Sequence, residues 1–353
     1  MSRMFSELVR SSRRITRDQF AANFGGVADD ILEMVEGEQA RRILDEARQV
    51  METANPLPDG TPRLQTLQFG RFSKAPELER GEVAAVDATP ALPLQLYSAG
   101  QALCVSIGSV SHKRSLQDSI HYWSSRAFLQ RSQDSDDHIA RQQQGAFSIS
   151  QAAYMSYFET VHGLEIDEPY LFFGGTLVSE WLTATNEGLA LYEELFRSGK
   201  KAIGVMKTLK ADALFARFAK ALRPGEVYIV ETLADHLRQG LPASAKTEEM
   251  RRFARDSFVE GTARKILRGV FRPVKKAFAF EVHEDHLRDM LRIMAADCQL
   301  NYVGREIPYL LNRVQQEIRT GFRPKILRDR IAARLVHRSE ELFLEEADDR
   351  LFP

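Results

Sequence analysis

The chain has 353 residues, of which 44% are hydrophobic and 27% charged, with 48 basic and 49 acidic side chains. This is enough apolar material for the core of one large domain or two smaller ones. A net charge of −1 excludes a global field that draws the protein onto nucleic acid or membrane, so any polyanion site must be a local patch or depend on metal ions or a partner.

The two cysteines, Cys104 and Cys298, lie far apart and form no paired motif. A zinc cluster built on cysteines is therefore excluded, and a reduced, cytoplasmic setting is expected. No apolar run approaches the roughly 18 residues that a membrane-spanning helix needs, and no hydrophobic region of the signal-peptide type follows the first 14 residues. We expect a soluble intracellular protein with no membrane contact.

The N-terminal part is predicted to be helical. Apolar residues recur between charged ones over residues 5–51, with a break near Gly25 and Gly26. We interpret this part as a helical layer on the core in preference to a docking arm. Residues 55–62 contain three prolines and a glycine, which predicts a linker before the main domain.

Residues 83–87 read Val-Ala-Ala-Val-Asp, so four apolar residues lead straight into an aspartate. Such a run between glycine and proline suits a buried strand, although periodicity alone does not separate a strand from buried helix. In a strand, Asp87 stands at the carboxyl end, where open sheets place ligand-binding groups. Its carboxylate is then either a functional group or a cap for the next turn.

The elements that follow predict a mixed sheet. Runs at 92–97 and 102–110 complete an antiparallel meander, and the polar residues 111–144 predict a surface excursion with a short helix. The next predicted elements, in order, are helix 148–161, strand 170–173, helix 177–196, strand 201–206, helix 211–222 and strand 226–230. This is the element order of an RNase H-like α/β fold, a mixed sheet flanked by helices.

The last part of the chain is predicted to extend this core with helices and one strand. The predicted elements are helix 243–268, strand 275–282, helix 287–295 and helix 312–334, the last broken near 321–324. We therefore divide the chain into an N-terminal helical segment and linker (1–62), an RNase H-like core (63–240) and a C-terminal α+β extension (241–353).

Four short stretches resemble motifs of the NurA nucleases. Residues 82–89 (Glu-Val-Ala-Ala-Val-Asp-Ala-Thr), followed by a glycine-centred hairpin, resemble the first motif. Residues 170–177 (Tyr-Leu-Phe-Phe-Gly-Gly-Thr-Leu) look like the strand that ends in an Asp-Gly-Ser-Leu type sequence. Residues 202–208 are similar to the later strand that ends in a lysine, and residues 306–316 look like the Tyr-Pro segment that precedes a histidine. The shared order of these stretches carries the resemblance.

The resemblance implies a nuclease that processes DNA ends, depends on Mn²⁺ or Mg²⁺, forms a homodimer and works with a HerA-type hexameric ATPase. Nucleases of the RNase H type hold two divalent cations about 4 Å apart on shared carboxylates, and the cations activate a water and stabilise the leaving oxygen. Oxygen ligands of this kind favour Mg²⁺ or Mn²⁺ over zinc.

The family's site residues carry over unevenly. Asp87 matches the first acidic position and Glu159 the acidic residue on the helix, with Glu165 as a weaker match, so Asp87 and Glu159 are the predicted catalytic metal ligands. Lys207 matches the lysine and is predicted to contact a DNA phosphate.

Two positions depart from the family pattern. Gly174 stands where the family has its second aspartate, and Gln315 stands where it has a histidine. Loss of a carboxylate lowers metal affinity unless a neighbour substitutes, and the candidates are Asp167, Glu168, Glu180 and Glu281. The alternative is a catalytically degenerate subunit that shapes a DNA channel for the ATPase. A third hypothesis is an unrelated mixed α/β domain with a small-molecule ligand.

Overall fold

The computed structural model describes residues 16–26, 29, 37–67, 75–90, 94–96, 100–124, 153–180, 182–206, 209, 213–239, 257–300 and 307–338. The chain divides between Ala54 and Asn55 into two compact units. No helix within these ranges has the length and apolar character that crossing a bilayer requires.

The first unit contributes two described helices, α1 (Arg17–Ala22) and α2 (Glu38–Thr53). Thr16 begins α1 with a capping box, because its hydroxyl accepts the Gln19 backbone N–H at 3.2 Å and the Gln19 side chain accepts the Thr16 N–H at 2.9 Å. The helical character predicted for these residues is confirmed.

The described part of the second unit contains ten strands and the remaining helices. The strands are β1 (Leu64–Thr66), β2 (Val83–Pro90), β3 (Leu94–Leu96), β4 (Gly100–Ser111), β5 (Gln117–Ser124), β6 (Tyr170–Phe173), β7 (Lys201–Met206), β8 (Glu226–Thr232), β9 (Ile266–Arg272) and β10 (Phe278–His283). The helices are α3 (Pro76–Arg80), α4 (153–165), α5 (Asn186–Arg197), α6 (Ala213–Ala221), α7 (Leu233–Gln239), α8 (Ser257–Glu260), α9 (Leu287–Cys298), α10 (Tyr309–Phe322) and α11 (Pro324–Arg338).

These ten strands join one mixed sheet in the order β1-β8-β9-β10-β7-β6-β2-β4-β3, with β5 paired to β4. Strand β2 is antiparallel to β4 and parallel to β6, and β6 is parallel to β7. The five strands β5-β4-β2-β6-β7 therefore have the topology of an RNase H-like unit, which confirms the predicted fold class. Strands β8, β9 and β10, on both sides of the predicted boundary at residue 240, continue the same sheet.

Two apolar layers cover the two faces of the sheet, and β2 contributes to both by alternation. Val83 and Ala85 pack in the layer that includes α9 and α10, whereas Ala84 and Val86 pack in the layer that includes α4 and α5. We call these the α10 face and the α4 face. A strand that is buried on both sides accounts for the unbroken apolar run in the sequence.

The structure corrects the prediction for residues 117–124, which form strand β5 rather than part of a surface excursion. β5 pairs with β4 along its length, and its Ile120 and Tyr122 are 55% and 83% exposed. A strand with so much exposed surface carries many polar residues, so its composition resembles a loop. The short helix predicted in this region would fall on residues 125–144, outside the described residues.

Two predicted helices are also corrected. Residues 266–268, predicted as the end of a helix, belong to strand β9, which runs from Ile266 to Arg272. In the second predicted helix, residues 177–180 are irregular and Leu182–Ala184 form a 3₁₀ turn. The helix that follows begins at Asn186, because the Thr185 hydroxyl accepts the Gly188 N–H at 3.0 Å and caps it there. The break predicted near 321–324 is confirmed, since α10 ends at Phe322 and α11 begins at Pro324.

The start of α10 is held by a buried carboxylate. Asp297, fully buried at the end of α9, accepts the Leu310 N–H at 3.0 Å and contacts His112 Nε2 at 3.2 Å. Burial raises the pKa of Asp297, and the bonds to His112 and Leu310 oppose this shift. His112 also stacks on Tyr309 with ring centroids 5.6 Å apart. One side chain thus links the end of β4, α9 and α10.

We expect Asp297→Ala to lower the free energy of unfolding by about 1–3 kcal/mol, because it leaves the buried Leu310 N–H without an acceptor. Asp297→Asn is the matched control, since its amide oxygen still accepts that bond, and it should cost less. Urea denaturation measures both. Equal losses for the two variants would contradict the capping role.

Candidate active site around Asp87

Asp87 lies inside β2, which continues to Pro90, and not at the strand's end as the sequence predicted. Its side chain is 5% exposed and, by strand alternation, belongs to the α10 face, opposite Gly108 of β4. The pairing of β2 with β6 ends beside it, where the Gly174 N–H donates to the Val86 carbonyl at 3.1 Å. Asp87 therefore marks the point where two neighbouring parallel strands separate.

The Asp87 carboxylate occupies the space that a side chain at position 174 would need. A Cβ on Gly174 would lie 2.6 Å from Cγ and Oδ1 of Asp87, closer than real Cβ contacts. One carboxylate oxygen also accepts the Ala88 N–H at 3.0 Å. The glycine at position 174, where the resemblance to NurA predicts a second aspartate, therefore fits closely against the side chain of Asp87.

Glu159 lies half-buried on α4, which covers the opposite face of the sheet. Burial raises the pKa of Tyr192, and the negative charges of Glu281 and Glu159 raise it further. The Tyr192 hydroxyl in turn accepts the Ser179 N–H at 2.7 Å. A cation shared by Asp87 and Glu159 requires their carboxylates to meet around the strand ends from opposite faces, and that pairing stays a prediction.

Glu281, a possible substitute ligand, lies in β10 with 1% exposure. One of its oxygens accepts the N–H groups of Leu177 and Val178 at 2.9 and 3.2 Å, and the other accepts from Arg268 Nε at 2.9 Å. The segment it holds rests on β7 so closely that a Cβ on Gly204 would lie 2.2 Å from the Leu177 nitrogen. Glu281 therefore acts as a clamp on the chain that leaves β6.

A network of alternating charges extends from this clamp. Arg268, 4% exposed, also bonds Glu231 and lies over the Phe215 ring, 5.3 Å from its centroid. Glu231 contacts His236 Nδ1 at 3.2 Å, and His236 Nε2 bonds Glu180 in the clamped segment. Buried charges of this kind are tolerated because each one has an opposite partner.

Sequence reasoning missed Arg268, Glu231 and His236 as parts of the site. Arg268 interrupts the apolar run Ile-Leu-Arg-Gly-Val-Phe at 266–271. If the run is a buried strand, a cation within it needs a buried partner of opposite charge. This is the sequence signal that could have identified Arg268 as part of a buried network.

The remaining predicted residues lie elsewhere or outside the described chain. Asp167 is exposed and Glu168 is buried against Arg114, with two hydrogen bonds of 2.9 Å, and both precede β6. The four residues of β6 span about 13 Å, so these acids lie at the opposite end of the strand from Gly174. Lys207 falls outside the described residues.

Gln315 is half-buried on α10, which packs across β2 and β4. It lies one turn before Ile318, whose side chain is 3.2 Å from the Cβ position of Gly108. Because Gly108 is opposite Asp87, α10 brings Gln315 to the same face of the sheet as Asp87.

The described residues do not fit a two-cation centre by themselves. Within the described ranges, no group of three His, Cys, Asp or Glu side chains is placed to hold a metal ion. Gly174 supplies no ligand, and both oxygens of Glu281 are engaged by Leu177, Val178 and Arg268. Two cations need several shared carboxylate oxygens, and this set falls short.

No protein-family model matches the chain, and no curated protein matches it. Solved NurA nuclease structures do match it. The NurA nuclease from Sulfolobus solfataricus is 9% identical, with a TM-score of 0.45, and the match covers 88% of this chain and 97% of that one. A NurA structure with manganese is 11% identical, with a TM-score of 0.40 and coverage of 87% and 96%.

An Endonuclease_V structure from Bacillus subtilis also matches, at 11% identity and a TM-score of 0.32, covering 82% of this chain and 94% of that one. NurA nucleases, the family that the sequence motifs resemble, are thus among the solved structures to which this chain is similar. These similarities concern the fold, whereas the chemistry of this chain depends on its own residues.

Gly174→Ala should lower the free energy of unfolding by about 1–3 kcal/mol, because the new methyl group overlaps the Asp87 carboxylate. Gly175→Ala is the matched control: nothing lies within 4 Å of its Cβ position, so we expect a change within about 1 kcal/mol. Removing the carboxylate in Asp87→Ala should relieve the cost, giving a coupling of at least about 0.5 kcal/mol in a double-mutant cycle. Additive changes in the free energy of unfolding would contradict the overlap, because they would show that the Asp87 side chain adopts another rotamer at no cost.

His236 should make the free energy of unfolding of the protein fall as the pH rises into the alkaline range. Burial alone lowers the pKa of His236, but hydrogen bonds to Glu180 and Glu231 outweigh it and raise the pKa from 6.5 to about 9. The protonated form therefore stabilises the fold fully below about pH 6.5, and this contribution is lost as the pH rises through about 9.

We expect His236→Gln to be less stable than the wild type by about 1–3 kcal/mol at the acidic end of this window and equal to it above the window. Glu180→Gln should show the same convergence, because it removes the partner that holds the proton. Urea denaturation at several pH values measures both. A stability difference that stays constant across the window would disprove the charged bridge.

Proposed function

We propose that the protein is a DNA nuclease of the NurA type that acts at the Asp87 site. The observation that carries the proposal is the position of Asp87: a buried carboxylate on the central strand of an RNase H-ordered unit, where β2 and β6 part. Open sheets bind ligands where neighbouring parallel strands end and diverge. A buried acid at that point has no evident role in the apolar packing of β2.

The cofactor and partners of the proposed reaction follow from the resemblance in the sequence. They are Mn²⁺ or Mg²⁺, duplex DNA with free ends, a HerA-like hexameric ATPase and a second copy of the chain. The net charge of −1 fits a protein that receives DNA from a motor better than one that captures it alone. Asp87 offers an oxygen ligand for a divalent cation, and Glu159 is the predicted second ligand. A third ligand has to come from beyond the described residues or from the substrate.

The second candidate is a catalytically degenerate subunit that shapes a DNA channel for the same ATPase. The overlap of position 174 with the Asp87 carboxylate favours it, because the site has room for one acid where the family has two. Both candidates share the fold, and they differ in whether Asp87 supports hydrolysis.

Asp87→Asn decides between them, because it keeps the shape of the side chain and removes its charge. End-labelled linear DNA is incubated with Mn²⁺, Mg²⁺ or EDTA, each with and without the ATPase. We expect the wild type to degrade DNA with a divalent cation, and Asp87→Asn to lose at least about a hundredfold in rate, the scale on which removal of one group that stabilises the transition state electrostatically acts. Asp45→Asn, the same change on the exposed surface of α2, is the control and should keep full activity.

Degradation by Asp87→Asn at the wild-type rate would place the chemistry elsewhere. If the wild type degrades nothing under any cation or partner condition, the degenerate subunit is the correct interpretation.

A further inference from the structure

The last two described helices concentrate positive charge. Residues 309–338, which span α10 and α11, contain eight lysines and arginines and two acidic residues, a local charge of +6 in a chain of net charge −1. The rest of the chain is correspondingly acidic. A concentrated basic surface on an otherwise acidic protein is the electrostatic footprint of a polyanion ligand.

Most of these cations face solvent. Arg313 is an exception, since it pairs with Glu317 at 2.6 Å and donates to the Ser111 carbonyl at 2.9 Å. We call the cations with described, exposed side chains on these two consecutive helices the basic patch: Arg319, Arg323, Lys325, Arg330 and Arg334. Exposed arginine and lysine side chains suit phosphate groups, which they contact without reading base sequence.

The basic patch adjoins the Asp87 site through α10. The apolar side of this helix packs on β2 and β4, and Ile318 lies against Gly108, the residue opposite Asp87. Arg319 is the next residue after Ile318 and is exposed, so the patch begins on the solvent side of the helix that packs across β2. It continues onto α11 after Arg323, whose φ of 43° turns the chain between the helices.

We infer that the basic patch binds the phosphate backbone of DNA and leads the strand to the Asp87 face. The direction of the strand rests on the proposed nuclease function, whereas the binding itself does not. Because the contacts are to phosphates, binding is independent of sequence and weakens steeply with salt. The patch also explains how a chain of net charge −1 can hold a polyanion locally.

The test neutralises three patch cations in one variant, Arg319→Gln, Arg330→Gln and Arg334→Gln. The control variant neutralises three exposed cations elsewhere, Arg17→Gln, Arg41→Gln and Lys220→Gln, so that the change in net charge is the same. Fluorescence anisotropy with a labelled blunt-ended duplex measures binding over a range of salt concentrations. EDTA is present, so binding is measured apart from any cleavage.

We expect the patch variant to bind DNA at least about tenfold more weakly than the control at low salt. The slope of log affinity against log salt should fall by about 0.9 for each lost phosphate contact. Thermal unfolding of both variants verifies that they are folded. Equal affinities and slopes for the two variants would overturn the inference, as would wild-type protein that fails to bind the duplex.

A second arm uses vesicles of anionic phospholipid. Patch-dependent binding to vesicles, with DNA binding unchanged, would assign the patch to a membrane surface and overturn the inference. The binding test does not depend on the outcome of the Asp87→Asn test. A catalytically degenerate subunit that binds DNA through the patch would still lose affinity in the patch variant.

Discussion

The buried Glu281 carboxylate is the constraint on which the geometry of the site depends. It joins β10 to the segment that leaves β6, by accepting the Leu177 and Val178 N–H groups. Arg268 balances its charge, which would otherwise be costly at 1% exposure. The direction in which the chain leaves Gly174 is therefore set by a residue more than a hundred positions away, and with it the space around Asp87.

The Asp87 carboxylate lies so close to Gly174 that no side chain fits at position 174 without a shift of that carboxylate. An aspartate at 174 would bring a second negative charge against a carboxylate that is already buried, and like charges at such contact oppose ionisation. Glycine at position 174 avoids that repulsion and supplies no side-chain ligand. Compared with a site that has aspartate at 174, this site has a lower negative charge and closer packing. Gly204 is packed in a similar way, because the backbone near Leu177 lies directly against it.

The fold is largely predictable from the sequence because the strands of the RNase H-like unit are buried on both faces and stand out as apolar runs. β5 and β9 are misassigned, since exposure makes β5 polar and a buried ion pair puts a cation into β9. In the candidate site, the apolar run before Asp87 predicts that this residue lies on a buried strand, as it does. The clamp at Glu281 and the His236 bridge arise from contacts between distant elements, which periodicity along the chain cannot reveal. The sequence places Glu159 on the correct helix, but it does not tell which face of the sheet that helix covers.

The order of strands has a consequence for how the molecule is made. β10, the last described strand, lies between β7 and β9 and is the connection between β1-β8-β9 and the rest of the sheet. Until residue 283 has been synthesised, the edge of β7 lacks its neighbour on that side, and the earlier strands form two separate sheets. Such open edges expose a growing chain to aggregation. A chain that ends before β10 would contain the strands of the RNase H-like unit but lack the strand that joins β7 to β9.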